Sequence, residues 1–298
     1  MRFSVVISTF NRRPLLTKCL EAVFCQEYPK NLYEVLVVDD GSTDDAREYL
    51  SSINRTNFYY FLESHNGPAK SRNFGIQKSK GEFIAFTDDD CLVPVNWLSQ
   101  LEMGFNKWPQ AAAVGGFLEA PSVNLSKSPL AQLEYFETHQ IYKASDKPYL
   151  GGFESPAGGT NNIAYRRNIL ETLGGFDEGF PVPAGEDADL KLRVVKAGFK
   201  IGYWPIKVTH LDPYSLGSFW RRSYVSGIGS LYFARKQEKT LPSKSEILVS
   251  MFKDLLKIVI LPIYFILGWL PQGVLVELLI LCRSFIINLA RFRYLKKI

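Results

Sequence analysis

Four short apolar runs set the first limit on what this chain can fold into. Phe3 to Ser8, Val35 to Val38, Phe58 to Leu62 and Phe83 to Phe86 are rich in β-branched or aromatic residues and are each strand-length. Runs of this kind read as strands buried on both faces. Segments with helical spacing lie between them. Pro14 can open a helix, and Leu15, Leu16, Cys19, Leu20 and Val23 then recur along one face. Asp44 to Ser52 and Pro68 to Lys78 read as two further helices. Strands alternating with helices build right-handed crossovers, so the expected class is α/β, a Rossmann-like domain with a central, mostly parallel sheet. From about Gln110 to Pro205 the chain is richer in Gly, Pro and aromatics and reads as less regular.

Ligands of such sheets gather beyond the carboxyl ends of the strands. Thr9-Phe10-Asn11, Asp39-Asp40-Gly41-Ser42 and Asp88-Asp89-Asp90 all fall at those ends. Three adjacent acids repel one another unless a cation is present. Two carboxylates one residue apart can project to the same side, and hard cations such as Mg²⁺ or Mn²⁺ take oxygen ligands shared with substrate phosphates. Taken alone, the triplet is equally well a solvated acidic turn. In the second segment a carboxylate can accept from a base N–H or a ribose hydroxyl, with Ser42 capping the next helix, or the whole is a capped turn. Lys70 and Arg72, in Gly67-Pro68-Ala69-Lys70-Ser71-Arg72-Asn73, either face a diphosphate or are ordinary surface charges at a helix start. Gly185-Glu186-Asp187-Ala188-Asp189 precedes a helical repeat of Leu190, Val194 and Ala197 that Gly198 ends. Asp187 in a first helical turn suits a general base, and the same acids also suit an N-terminal cap.

Composition narrows the partners. Hydrophobic residues make up 46% of the 298, which supports a large folded core. The four cysteines form no C-x-x-C pair, so reduced thiols are expected rather than a zinc site or a disulfide framework. Asn11-Arg12-Arg13 breaks the first apolar stretch too early for a signal-peptide core. From Leu241 onward there are eight basic residues against three acidic ones, which accounts for the whole net charge of +5. A nucleic-acid binder would carry its excess on the folded body, so no nucleic-acid partner is expected. Here the excess flanks Ile258 to Val276, which are 19 residues without a charge. Pro262, Gly268, Pro271 and Gln272 interrupt that run. Leu255–Leu270 and Gly273–Ala290 therefore read as an apolar helical hairpin joined at Pro271-Gln272-Gly273. With basic residues at both outer ends, the tail is expected at the cytoplasmic face of a membrane, dipping in or lying in the interface. A soluble helical pair that caps the domain or forms an oligomer contact is the alternative.

The ordered set of motifs resembles inverting family 2 glycosyltransferases of the GT-A type. The match runs through Ser4-Val5-Val6-Ile7-Ser8-Thr9-Phe10-Asn11-Arg12, Val38-Asp39-Asp40-Gly41-Ser42, Gly67 to Asn73, Phe86-Thr87-Asp88-Asp89-Asp90, Gly174-Gly175-Phe176-Asp177-Glu178 and Gly185-Glu186-Asp187. The resemblance implies a nucleotide-diphosphate sugar donor, UDP-linked by default, and a saccharide or lipid-linked acceptor. It also implies a divalent cation, Mn²⁺ or Mg²⁺, and a role in cell-surface or exopolysaccharide synthesis. Residues 1–110 would bind the donor, 111–240 would carry the acceptor side and the catalytic acid, and 241–298 would form the tail. By the same resemblance Thr9, Phe10, Asn11 and Ser42 line the nucleotide pocket, Asp40 reads the base and Asp39 supports the ribose. Arg72 stands near the diphosphate. Asp90 is a metal ligand and Asp88 faces ribose or metal. Asp89 lies between them, counts with the nucleotide-sugar-binding residues and is the acid expected to tolerate substitution best. Asp187 is the base, with Glu186 beside it. His210 lies where related enzymes sometimes place a histidine near metal or diphosphate, and a structural role is its alternative. Gly158 to Asn162 would floor the donor-sugar pocket, and Asp177 and Glu178 would touch the acceptor. A nucleotidyltransferase would need a Gly-rich loop after the first strand, where Thr9-Phe10-Asn11-Arg12-Arg13-Pro14 has no glycine. A non-catalytic nucleotide-sugar-binding subunit would lack the paired acids or the base. No Gln-x-x-Arg-Trp of a processive synthase occurs.

Overall fold

A computed structural model of the chain describes residues 1–125, 127–211, 215–266 and 274–295. In chain order it begins with β1 (Phe3–Thr9), α1 (Arg13–Phe24), β2 (Tyr33–Asp39), α2 (Ala46–Ser52), β3 (Phe58–Leu62), α3 (Pro68–Lys78), β4 (Phe83–Phe86), β5 (Cys91–Leu92) and α4 (Trp97–Lys107). There follow β6 (Ala111–Glu119), the short helices α5 (Ser122–Leu125) and α6 (Pro129–Phe136), and a π-helical turn at Glu137–Ile141. Next come β7 (Tyr149–Gly151), β8 (Ile163–Arg166), α7 (Arg167–Leu173), α8 (Glu186–Lys196) and β9 (Lys200–His210). Three long helices close the chain: α9 (Leu216–Lys236), α10 (Lys244–Ile266) and α11 (Val274–Tyr294).

The chain divides into two compact units. The first comprises Met1–Pro121, Glu137–Glu178 and Asp187–Asp212. It holds a nine-stranded sheet in the order β3-β2-β1-β4-β8-β6-β9-β5, with β7 on β9. The expected strands and helices of the first 86 residues are all present. β3, β2, β1 and β4 run parallel, with Thr9 opposite Asp39 and Val6 opposite Phe86. Their carboxyl ends therefore share one edge. β8 enters antiparallel beside β4, with Ile163 opposite Phe86, so its start meets the end of β4. β6 and β9 return to the first direction, while β5 and β7 oppose it. The sheet is thus mostly parallel in strand direction but mixed in its second half.

The stretch that read as irregular in sequence holds β6, β7, β8 and part of β9. Ala111-Ala112-Ala113-Val114-Gly115-Gly116 carries little strand signal because its side chains are small. Those small residues are what the position needs: a Cβ on Gly116 would stand 2.0 Å from the Ile206 carbonyl oxygen. Successive strand residues bury opposite faces. Phe3, Val5 and Ile7 pack with α1 and α4, while Val6, Ile84 and Phe86 pack with α3, α7 and α8.

The second unit comprises Ser122–Phe136, Gly179–Glu186 and Pro213–Ile298. Its helices α9, α10 and α11 pack together through α11. α10 begins well before the expected Leu255, because Ser243 and Glu246 form a reciprocal cap. The Glu246 amide donates to Ser243 Oγ at 3.2 Å, and the Ser243 amide donates to Glu246 Oε2 at 2.7 Å. The expected joint at Pro271-Gln272-Gly273 lies outside the described residues. Among the described residues no helix is long and apolar enough to cross a membrane.

Candidate active site

The shared strand edge of the first unit collects the residues singled out in sequence. The turn after β4 aims its three acids in different directions. Asp88 is the most accessible. Its Oδ1 accepts from Arg72 Nη2 at 3.0 Å and from Thr160 Oγ1 at 3.4 Å. Asp90 Oδ2 accepts from Arg12 Nη1 at 2.6 Å, and His210 Nε2 stands 3.7 Å away. The two-residue pairing of β5 with β9 sets Cys91 opposite His210 and so brings that histidine to the triplet. Burial would raise the Asp90 pKa, but His210 and the Arg12 guanidinium outweigh it and hold the carboxyl well below the usual range.

Asp89 is held differently from its two neighbours. It is buried, and its oxygens accept from Thr9 Oγ1 at 2.7 Å and Arg12 Nη1 at 3.2 Å. Desolvation pushes its pKa up to about 7, against the opposing charge of Arg12. It ties β1 to the triplet. Thr9, expected in the nucleotide pocket, is buried and spends its hydroxyl on Asp89.

Several other expected ligand contacts are likewise internal. Asn11, at φ 53°, accepts from the Thr43 amide at 2.7 Å, and its own amide donates to Ser42 Oγ at 2.9 Å. The pair stitches the loop after β1 to the loop after β2. Asp39 is fully buried and accepts from the Ser42 amide at 2.8 Å. Asp40 accepts from the amides of Asn66 and Gly67, both at 2.9 Å, and His65 Nδ1 lies 3.0 Å from Oδ2. It thereby shapes the turn into α3, which Gly67 makes possible with φ 90°. Phe10 remains exposed and stacks on His65, ring centroids 4.0 Å apart. This aromatic pair forms the rim beside Asp40.

Asp187 stands half-buried in the first turn of α8, and Glu186, which opens the helix, is buried. Burial first, and repulsion from Asp88 second, raise the Asp187 pKa above the ordinary carboxylate value, while its Ala188 hydrogen bond and Arg72 pull it down. Asp88, Arg72 and Asp187 are therefore close enough to act on one another. Asp189 is fully buried and pairs with Arg193 at 2.8 Å, and Arg193 also donates to the carbonyls of Leu173 and Gly175. That pair fixes the turn from which Glu178 accepts a bond from Asn73 at 2.8 Å. Thr87 Oγ1 donates to the Asn161 carbonyl at 3.2 Å, which seats the Gly158 to Asn162 loop against the triplet.

Sequence reasoning passed over two cations here. Arg12 was visible only as part of a motif, yet it binds two of the three acids. Lys191 lies one turn beyond Asp187, bonded to the Ser155 carbonyl and packed on Phe153. Burial lowers its pKa to about 8, against Asp187 and Glu154, which raise it. The i, i+4 spacing from Asp187 was the available signal.

Asp88 and Asp90 are oxygen donors of the kind a hard cation takes. Among the described residues no cluster of three His, Cys, Asp or Glu side chains is arranged to hold a metal ion. The donor set therefore fits a cation shared with a phosphate ligand better than a closed protein cage.

Comparison with known proteins follows the same lines. Residues 4–174 match the profile of glycosyl transferase family 2. The glycosyltransferase AglE of Haloferax volcanii is 30% identical over 205 residues, covering 67% of this chain and 63% of the relative. A dolichyl N-acetyl-alpha-D-glucosaminyl phosphate 3-beta-D-2,3-diacetamido-2,3-dideoxy-beta-D-glucuronosyltransferase of Methanococcus voltae is 26% identical over 240 residues, covering 74% of this chain and 68% of the relative. The chain thus spans under two thirds of the Haloferax protein. Among solved structures, the mannosyltransferase PcManGT from Pyrobaculum calidifontis, in complex with GDP-Man and Mn²⁺, superposes with a TM-score of 0.60 at 19% identity, over 99% of this chain and 75% of that one. This likeness shows the fold.

Proposed function

Since the chain belongs to glycosyl transferase family 2, we propose that it moves a sugar from a nucleoside-diphosphate donor, UDP-linked by default, to a hydroxyl of a saccharide or lipid-linked acceptor, with inversion. The setting is cell-surface or exopolysaccharide synthesis at the cytoplasmic face of a membrane. Residues 1–110 take the donor and 111–240 the acceptor. A lipid-linked acceptor gains support from the dolichyl phosphate sugar in the Methanococcus relative's name.

The observation that carries this reading is the grouping of Asp88, Arg72 and Asp187. Arg72 is held by Asp88 at 3.0 Å and is felt by Asp187. A guanidinium paired with a donor-side acid suits a departing diphosphate, to which it can present N–H groups. Asp187 accepts the proton of the acceptor hydroxyl as that oxygen attacks the anomeric carbon. Its raised pKa makes it a stronger base than a free carboxylate. Phe10 and His65 offer an aromatic surface for the base at the rim. A divalent cation, Mn²⁺ or Mg²⁺, held by Asp88 and Asp90 would neutralise charge on the leaving diphosphate.

The test is Asp187→Asn. Loss of a general base lowers kcat by about 10²–10⁴-fold, with donor binding retained. Because the Asp187 pKa is raised, the acid limb of the parent's rate profile should lie above the ordinary carboxylate value of about 4 and vanish in the variant. Full transfer by the purified variant at saturating donor and Mn²⁺ would remove Asp187 from this role. A thermal-shift screen of nucleotide sugars with Mn²⁺ identifies the donor, since differential binding reads out as stability.

A further inference from the structure

The second unit carries an apolar face that its own packing does not use. Ser284 of α11 donates to Asp254 of α10 at 2.8 Å, and Asn288 of α11 donates to Ser250 of α10 at 3.0 Å. The numbers rise on one helix as they fall on the other, so the two run antiparallel. Arg291 of α11 reaches Ser230 of α9 at 3.0 Å, and Gly227 of α9 lies against Ile287 and Ala290. Only residues 237–243 separate α9 from α10, and a connection that short joins antiparallel neighbours. The head of α9, the far end of α10 and the head of α11 therefore share one end of the bundle.

Apolar side chains are exposed along α10 toward that end. Leu248, Phe252, Leu255 and Val259 recur at helical spacing, and Phe252 is 66% exposed. At the head of α9, Leu216 and Trp220 are also exposed, Trp220 by 50%. Between residues 248 and 259 the outward charges are Lys253 and Lys257, while the acid Asp254 is turned inward to Ser284 and Asn288. By helix rise, Lys253 and Lys257 stand level with Arg283 of α11 and with Arg221 of α9. At the height of the apolar stripe the exposed charges of α10 are thus both basic, and they lie on the other side of the helix from it. A face between protein copies would be depleted of lysine.

We propose that this face of α10 lies in the interface of an anionic lipid bilayer, with Phe252 and Leu255 among the acyl chains and Lys253 and Lys257 reaching the headgroups. The partner is a membrane surface, and the helix lies in it without crossing. The proposal is independent of the transfer reaction.

The experiment is cosedimentation of the full chain with phosphatidylcholine vesicles, with and without phosphatidylglycerol. The parent should bind the anionic vesicles, and less so as salt rises from about 0.1 to about 0.5 M. Each lysine near an anionic surface is worth about five-fold in partitioning. Lys253→Gln with Lys257→Gln should therefore weaken binding by about 25-fold. Phe252→Ser with Leu255→Ser should weaken binding to both kinds of vesicle. Parent protein that stays in the supernatant with anionic vesicles overturns the proposal. So does an unchanged partition in both variants. A parent dimer in light scattering that both variants dissociate, without vesicle binding by the parent, assigns the face to a second copy instead. Transfer to a water-soluble saccharide should be equal in all three proteins, and its loss would bear on the transferase reading alone.

Discussion

Replacing Arg12 with glutamine should loosen the acid triplet and at the same time strengthen its hold on a divalent cation. One nitrogen of Arg12 donates to Asp90 at 2.6 Å and to Asp89 at 3.2 Å. Asp89 is buried, so water cannot fully take the place of the lost donor. A hydrogen bond to a charged group contributes about 1.5–3 kcal/mol. The Arg12 side chain is 39% exposed, and solvent screening reduces the two contacts together to about 2 kcal/mol. Each kcal/mol moves the melting temperature of a chain this long by about 2–4 °C. We therefore expect Arg12→Gln to melt about 4–8 °C below the parent in EDTA. The guanidinium also occupies the Asp90 oxygen that a cation would need. Removing about 1 kcal/mol of that competition tightens Mn²⁺ binding about five-fold. Scanning fluorimetry reads the first effect and an electron-paramagnetic-resonance titration of Mn²⁺ the second. If the variant melts with the parent and binds Mn²⁺ no better, Arg12 is neither a strut nor a competitor, and the argument fails.

Three further outcomes follow from contacts in the first unit. Asp89→Ala should lower the melting temperature more than Asp88→Ala, because it leaves the buried Thr9 hydroxyl without its acceptor, a loss of about 1–3 kcal/mol; equal melting of the two variants would return Asp89 to the surface. Lys191 has its pKa lowered to about 8 from 10.5, so the folded state sheds its proton before the unfolded state does. Stability should rise as pH climbs through that window, and Lys191→Met should flatten the rise and add about 1–3 kcal/mol near neutral pH, read as melting temperature against pH. Gly116→Ala would drive a methyl group to 2.0 Å from the Ile206 carbonyl oxygen. It should cost about 3 kcal/mol in urea unfolding, whereas a substitution that melts normally would show that β6 and β9 can separate.

How much of the fold is legible in sequence depends on how the strands bury. Val5, Val6, Ile7 and Val35 to Val38 lie inside a parallel sheet covered on both faces, so their apolar runs are continuous and easy to read. β6 is equally buried but is built from alanine and glycine, because the Asn162 and Ile206 backbones approach it closely. That signal is steric and belongs to the partner strands, which lie about 50 to 90 residues away in the chain. The start of α10 was missed for a different reason. Its cap at Ser243 and Glu246 precedes the apolar density that drew attention to Leu255.

The triplet shows where motif reading stops. Spacing alone singles out Asp88 and Asp90 as a pair that can share a ligand, and the structure gives each a neighbour of opposite charge, the buried Arg72 and the part-exposed Arg12. What spacing does not reveal is that the intervening Asp89 points inward and anchors β1 through Thr9. Nor does it reveal that Arg12 and His210, which come from opposite ends of the first unit, meet at Asp90. That meeting depends on a two-residue strand, β5, pairing with the last residues of β9. A strand so short leaves no periodic trace. Internal struts such as Asn11 and Ser42 share these loops with the exposed Phe10 and the more accessible Asp88, because a loop at this edge must be fixed before any of its side chains can hold one position. A motif therefore marks an edge of the sheet. Burial and hydrogen-bond partners then separate the residues that build the edge from those that face outward.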